Sequence, residues 1–133
     1  MDTEMENTEV IWSDKQYITT HVRKVVSIWH GQIFISVGII ADIEKLYDHC
    51  NIGFIPSGNI LVIHFCENGG YTVAKSTRGK AKTVNCQRAF RQFGLVPKDL
   101  KRHSYHAEVQ LNDDIFIFLN EEVTPYFGEK QNG

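Results

Sequence analysis

Between Val25 and Leu119 the chain alternates apolar and polar positions in short runs, broken by glycine, proline and asparagine. Val25–Trp29 reads as a strand, His30–Gly31 as a tight turn and Gln32–Ile35 as the returning strand. Ser36 is placed to cap a helix running from about Val37 to Tyr47, with Ile39, Ile40, Ile43, Leu46 and Tyr47 on one face. Two more strands, Ile52–Ile55 and Asn59–Cys66, flank Pro56–Ser57–Gly58, a strong turn signal.

The second half repeats that order. Tyr71–Ser76 and Lys80–Val84 are strands around Arg78–Gly79, and Asn85 is a cap candidate for a helix over Cys86–Phe93. Gly94 stands where a glycine ends a helix, and Tyr105–Leu111 and Ile115–Leu119 flank the turn Asn112–Asp113–Asp114. Strand, turn, strand, helix, hairpin therefore occurs twice, which predicts an internal duplication. The expected organisation is an acidic tail over 1–15, one globular domain over 16–120 made of repeats 21–68 and 71–120, and a tail over 121–133.

A chain of 133 residues buries roughly two-thirds of its unfolded surface, enough for one core without staples. The longest apolar run, Ile60–Phe65, is far short of a membrane span. Three cysteines without a CxxC pair argue against a disulfide framework and for a reducing, cytoplasmic setting.

The formal net charge of −2 conceals a segregation. Tyr71–His103 holds nine basic residues and one acid, Asp99; the other 100 residues hold five basic and fifteen acidic. Such asymmetry predicts an electrostatically addressed partner carrying phosphates. The candidate anion-binding residues are Lys75, Arg78, Lys80, Lys82, Arg88, Arg91, Lys101 and Arg102, with Tyr71 and Tyr105 as bases' stacking partners. On the second helix Cys86, Ala89, Phe90 and Phe93 share one face, leaving Arg88 and Arg91 on the opposite one. The start of that helix offers free N–H groups to a phosphate.

Metal and catalytic readings are weaker. His64 and Cys66 share one side of a strand with Ile60 and Val62, where a satisfied, partly buried histidine is the expectation. His49–Cys50, His103 and His106 fit no zinc spacing, so no metal and no cofactor is expected. Cysteine–histidine pairs lack a nucleophile signature, Asp113–Asp114 read as turn residues, and the glycines form no P-loop. An enzyme is not expected.

The stretch Val25-Val26-Ser27-Ile28-Trp29-His30-Gly31-Gln32-Ile33-Phe34-Ile35-Ser36 resembles the swapped-hairpin AbrB unit of bacterial regulators. Val73-Ala74-Lys75-Ser76-Thr77-Arg78-Gly79-Lys80-Ala81-Lys82-Thr83-Val84-Asn85 echoes it. A tandem pair is similar to the MraZ arrangement and to small proteins of bacteria and their phages. The resemblance implies an α+β fold of two tandem β-β-α-β-β units, a homodimer or higher oligomer, and binding of duplex DNA as a transcriptional regulator. Two other partners fit the charge pattern: a nucleotide immune signal sequestered by a phage-type protein, and an acidic protein. A broad flat cationic face favours DNA; a pocket with an arginine and an aromatic favours a nucleotide.

Overall fold

A computed structural model describes residues 24–75, 81–95 and 99–123. The expected tail over 1–15 lies outside them, as do residues 124–133 of the expected tail over 121–133, Arg78, Lys80 and Lys98, whereas residues 121–123 of that tail are part of a strand. Eight strands are present: β1 (Val25–Trp29), β2 (Gln32–Ile35), β3 (His49–Ile55), β4 (Ile60–Phe65), β5 (Tyr71–Lys75), β6 (Lys82–Asn85), β7 (His103–Val109) and β8 (Ile115–Val123). Helix α1 (Val37–Ile40) follows β2 and helix α2 (Gln87–Phe93) follows β6.

The expected fold class is corrected. The strands do not form two tandem α+β units; they close one antiparallel barrel in the order β1-β2-β6-β5-β3-β4-β8-β7. The hairpins sit where the turn residues put them, but β2 pairs with β6, β4 with β8, β1 with β7 and β3 with β5. Every strand thus has its hairpin mate on one side and a strand of the other half on the other. Moving each strand's number on by four leaves the set of neighbours unchanged, a twofold relation passing between β2 and β6 and between β4 and β8. Local patterning specifies hairpins, not which hairpins meet. Burial decides that: one hairpin covers only one face, and closure covers every inward side chain. The closed barrel has no open edge among its eight strands.

Alternation fills the interior. Val26, Ile33, Ile35, Leu61, Ile63, Val84, Ala107, Ile115 and Ile117 point inward and are buried, while Ser27, Phe34 and Thr83 between them take the outer wall. Because β2 and β6 are antiparallel neighbours, α1 and α2 leave from opposite ends of the barrel, each burying side chains there: Ile39 from α1, Ala89 and Phe90 from α2. Phe93 of α2 stacks on Phe54 of β3, ring centroids 5.5 Å apart. Gly31, at φ +75°, takes the left-handed turn position between β1 and β2, and a Cβ there would meet the Gln87 side chain.

Helix α1 ends at Ile40, seven residues short of the expected Tyr47. The N–H groups of Glu44 and Lys45, which would continue the helix, donate instead to the Asp113 carboxylate at 3.2 and 3.0 Å. Ile43 and Tyr47 still pack on the core from an irregular segment. In the second half Cys86, not Asn85, occupies the N-cap position, and Gly94 ends α2 with φ +72°. Strand β8 continues past Leu119 to Val123. No helix among the described residues is long and apolar enough to cross a membrane.

Candidate anion-binding groove

One rung of the outer wall runs across five strands. Ser104 of β7 stands opposite Ser27 of β1, Ser27 opposite Phe34 of β2, Phe34 opposite Thr83 of β6, and Thr83 opposite Ala74 of β5. Phe34 is an aromatic on the solvent side of a strand whose Ile33 and Ile35 fill the core. The guanidinium of Arg102, from the segment leading into β7, covers its ring at 4.6 Å from the centroid. On the same rung the Ser27 and Ser104 side chains are buried, and their hydroxyls hydrogen bond to each other at 2.7 Å. Partial burial draws the Arg102 pKa down from its ordinary value, without discharging a guanidinium at neutral pH.

Lys75 ends β5 and Lys82 begins β6, and the two are directly opposed in the ladder. Like charges so placed repel. Among the described residues neither lysine, nor Arg102, makes an ion pair with a carboxylate. All three line one groove of about 750 Å³ with Phe34, Ser27, Gln32, Ser36 and Thr83, and among the described residues no acid is in its wall. The groove therefore presents three cations, hydroxyl and amide groups and an aromatic floor.

The other described sequence candidates sit elsewhere. Arg88 and Arg91 are exposed on α2, as the helix angles require, at the barrel end opposite the lysine pair. Lys101 is exposed beside Asp99, whose carboxylate accepts its backbone N–H at 3.0 Å. Tyr71 and Tyr105 stand opposite the buried Cys50 and Val26, so they share the inward face and pack on the core. Burial, with Glu122 and Asp99 adding to it, pushes the Tyr105 pKa up. The aromatic in the groove is Phe34, which the tyrosine reading passed over; its alternation with Ile33 and Ile35 was the available signal. At seven residues, α2 is too short to make an anion site at its start.

His64 is exposed rather than partly buried, because Ile63 and Phe65 are the inward residues of β4, and its Nδ1 lies 2.6 Å from Asp114 Oδ1. No group of three or more metal-ligating side chains occurs among the described residues. Cys50 and Cys86 are buried, and burial pushes each thiol up to about 12, the reverse of an activated nucleophile.

Comparison with family models, with curated proteins and with solved structures returned no match.

Proposed function

We propose that this barrel is a non-catalytic binding protein for a phosphate-bearing small molecule of nucleotide size, held in the groove that runs from the outer wall onto the barrel end where Lys75 and Lys82 meet. The observation that carries the reading is the opposed pair Lys75–Lys82 beside the Arg102–Phe34 stack, without a carboxylate among the described residues of the lining. Two cations held against their mutual repulsion are relieved by an anion between them. An arginine flat on an aromatic keeps its N–H groups available for phosphate oxygens while its outer face offers a stacking surface to a base. The volume, about 750 Å³, falls in the range that takes one small ligand.

Duplex DNA, the partner implied by the sequence resemblance, fits less well. It asks for one broad cationic face, whereas Arg88 and Arg91 sit at the far barrel end from Lys75 and Lys82. An equilibrium test separates the two. ADP, a cyclic dinucleotide and inorganic pyrophosphate are titrated by calorimetry at about 150 mM salt, beside a duplex oligonucleotide. Binding of at least one phosphate compound, weakened about tenfold or more by Arg102→Ala and by Lys82→Glu, is expected. A steeply salt-dependent duplex affinity that falls in Arg88→Ala and Arg91→Ala, with none of the three small compounds bound, overturns the proposal.

A further inference from the structure

We infer that His103 is a positioning residue for the groove: clamped between Asp99 and Glu122, it fixes the short segment that lays Arg102 on Phe34, and ligand affinity follows its proton. This rests on the groove reading and adds the regulation of that site.

The clamp is defined by distances. His103 Nδ1 lies 2.7 Å from Glu122 Oε2 on β8, and its Nε2 lies 2.9 Å from Asp99 Oδ1. Ionised carboxylates only accept, so both ring nitrogens must carry hydrogen and the ring is an imidazolium. The same Asp99 oxygen accepts the Lys101 N–H at 3.0 Å, and the Trp29 indole N–H donates to the Leu100 carbonyl at 3.1 Å. Asp99, Leu100 and Lys101 are thus each tied down, and Arg102 is the next residue, directly before the clamped histidine.

The groups around His103 are few. Its own segment supplies Asp99 and Lys101, β8 supplies Glu122, and β7 supplies Tyr105. Opposite on β1 stands Ile28, which carries no charge. Arg91 from α2 and His30 from the turn after β1 share with Asp99 and Leu100 the wall of a small pocket of about 220 Å³. Losing one proton turns a ring lone pair against a carboxylate, so only one of the two bonds survives and either β8 or the Arg102 segment is released. The Glu122 hydrogen bond, then that of Asp99, raises the His103 pKa above its ordinary value, so release comes at higher pH than an unclamped histidine would set.

The test uses the full chain with inorganic pyrophosphate, titrated by calorimetry at about pH 6 and about pH 9 in wild type and His103→Gln. The Trp29 indole N–H resonance is followed without ligand over the same range. Comparing variants at equal pH cancels the titration of pyrophosphate itself. Between the two pH values wild type is expected to lose about fivefold more affinity than His103→Gln, the scale of one charge-assisted bond spent on positioning. The pH course of the indole signal should differ between wild type and His103→Gln; His30, whose ring centroid lies 4.4 Å from that of Trp29, is common to both. In Glu122→Gln, which keeps the site's shape, the His103-dependent transition should fall to lower pH. The same pH course in wild type and His103→Gln overturns the inference. Absence of pyrophosphate binding at both pH values, with no nucleotide bound either, overturns the groove reading instead. The clamp is then judged by the indole signal, and the same course in wild type and His103→Gln sinks it.

Discussion

The hydroxyls of Ser27 and Ser104, 77 residues apart in the chain, meet at 2.7 Å on the outer wall of the barrel, on the same rung as Phe34. Each satisfies the other where water is excluded. Ser27→Ala leaves the Ser104 hydroxyl buried without its partner and is expected to cost about 1–2 kcal/mol, whereas the double alanine variant should cost less than the two single losses together. Urea unfolding of the four members of the cycle checks this. Strict additivity would mean that the two hydroxyls stabilise independently.

Lys75→Glu should separate stability from binding. It places a carboxylate directly opposite Lys82, replacing repulsion by attraction worth about 0.2–1 kcal/mol. Thermal unfolding should therefore occur at higher temperature while pyrophosphate affinity falls about tenfold or more. A variant that loses stability together with affinity would indicate that Lys75 is needed by the fold.

The stability profile with pH follows from His103 and Asp99. The folded state holds the His103 proton more tightly than the unfolded chain does. Its contribution is therefore full below the ordinary value of 6.5 and fades as pH rises through the raised folded value. Asp99 is shifted the other way, by its hydrogen bonds to His103 and to the Lys101 N–H. Its contribution is present above 3.8 and lost as pH falls through the lowered value. Melting temperature should peak between those limits, and His103→Gln should flatten the alkaline fall and also weaken the acid one, because the His103 hydrogen bond is the first cause of the Asp99 shift. An alkaline limb that persists in His103→Gln would trace it to another group.

Thiol labelling reads the barrel ends. Cys66 is partly exposed, whereas Cys50 and Cys86 are buried with thiols pushed up to about 12. An aromatic disulfide reagent at neutral pH should modify one cysteine quickly in the native protein and all three in denaturant. Rapid labelling of Cys86 would show that the end covered by α2 opens under native conditions.

The strands were legible because their signals are local: alternation in Gln32–Ile35, a glycine at the His30–Gly31 turn, and Gly94 closing α2. The helix to Tyr47 was misread because Ile39, Ile40, Ile43 and Tyr47 do face the core, at spacings that a packed irregular segment reproduces as well as a helix. What settled that segment was the Asp113 carboxylate, 69 residues from Glu44, which no local window contains. The closed barrel escaped notice for the same reason, since β2 with β6 and β1 with β7 are pairings at long range. Of the site, Lys75, Lys82 and Arg102 were visible as charge. Phe34 was not among the stacking candidates, although its alternation with Ile33 and Ile35 puts it on the solvent side.

Interleaving the two halves has a consequence for synthesis. Emerging from the ribosome, the first four strands find only their hairpin mates, and each keeps one unpaired edge until its partner from the second half arrives. Strand β8, the last of the eight, must join both β4 and β7, so the barrel can close only once β8 has emerged. A break in the turn between β4 and β5 would yield two fragments, each incomplete without the other. Co-expressed, they should reassemble as a split protein whose recovery signals that both are present.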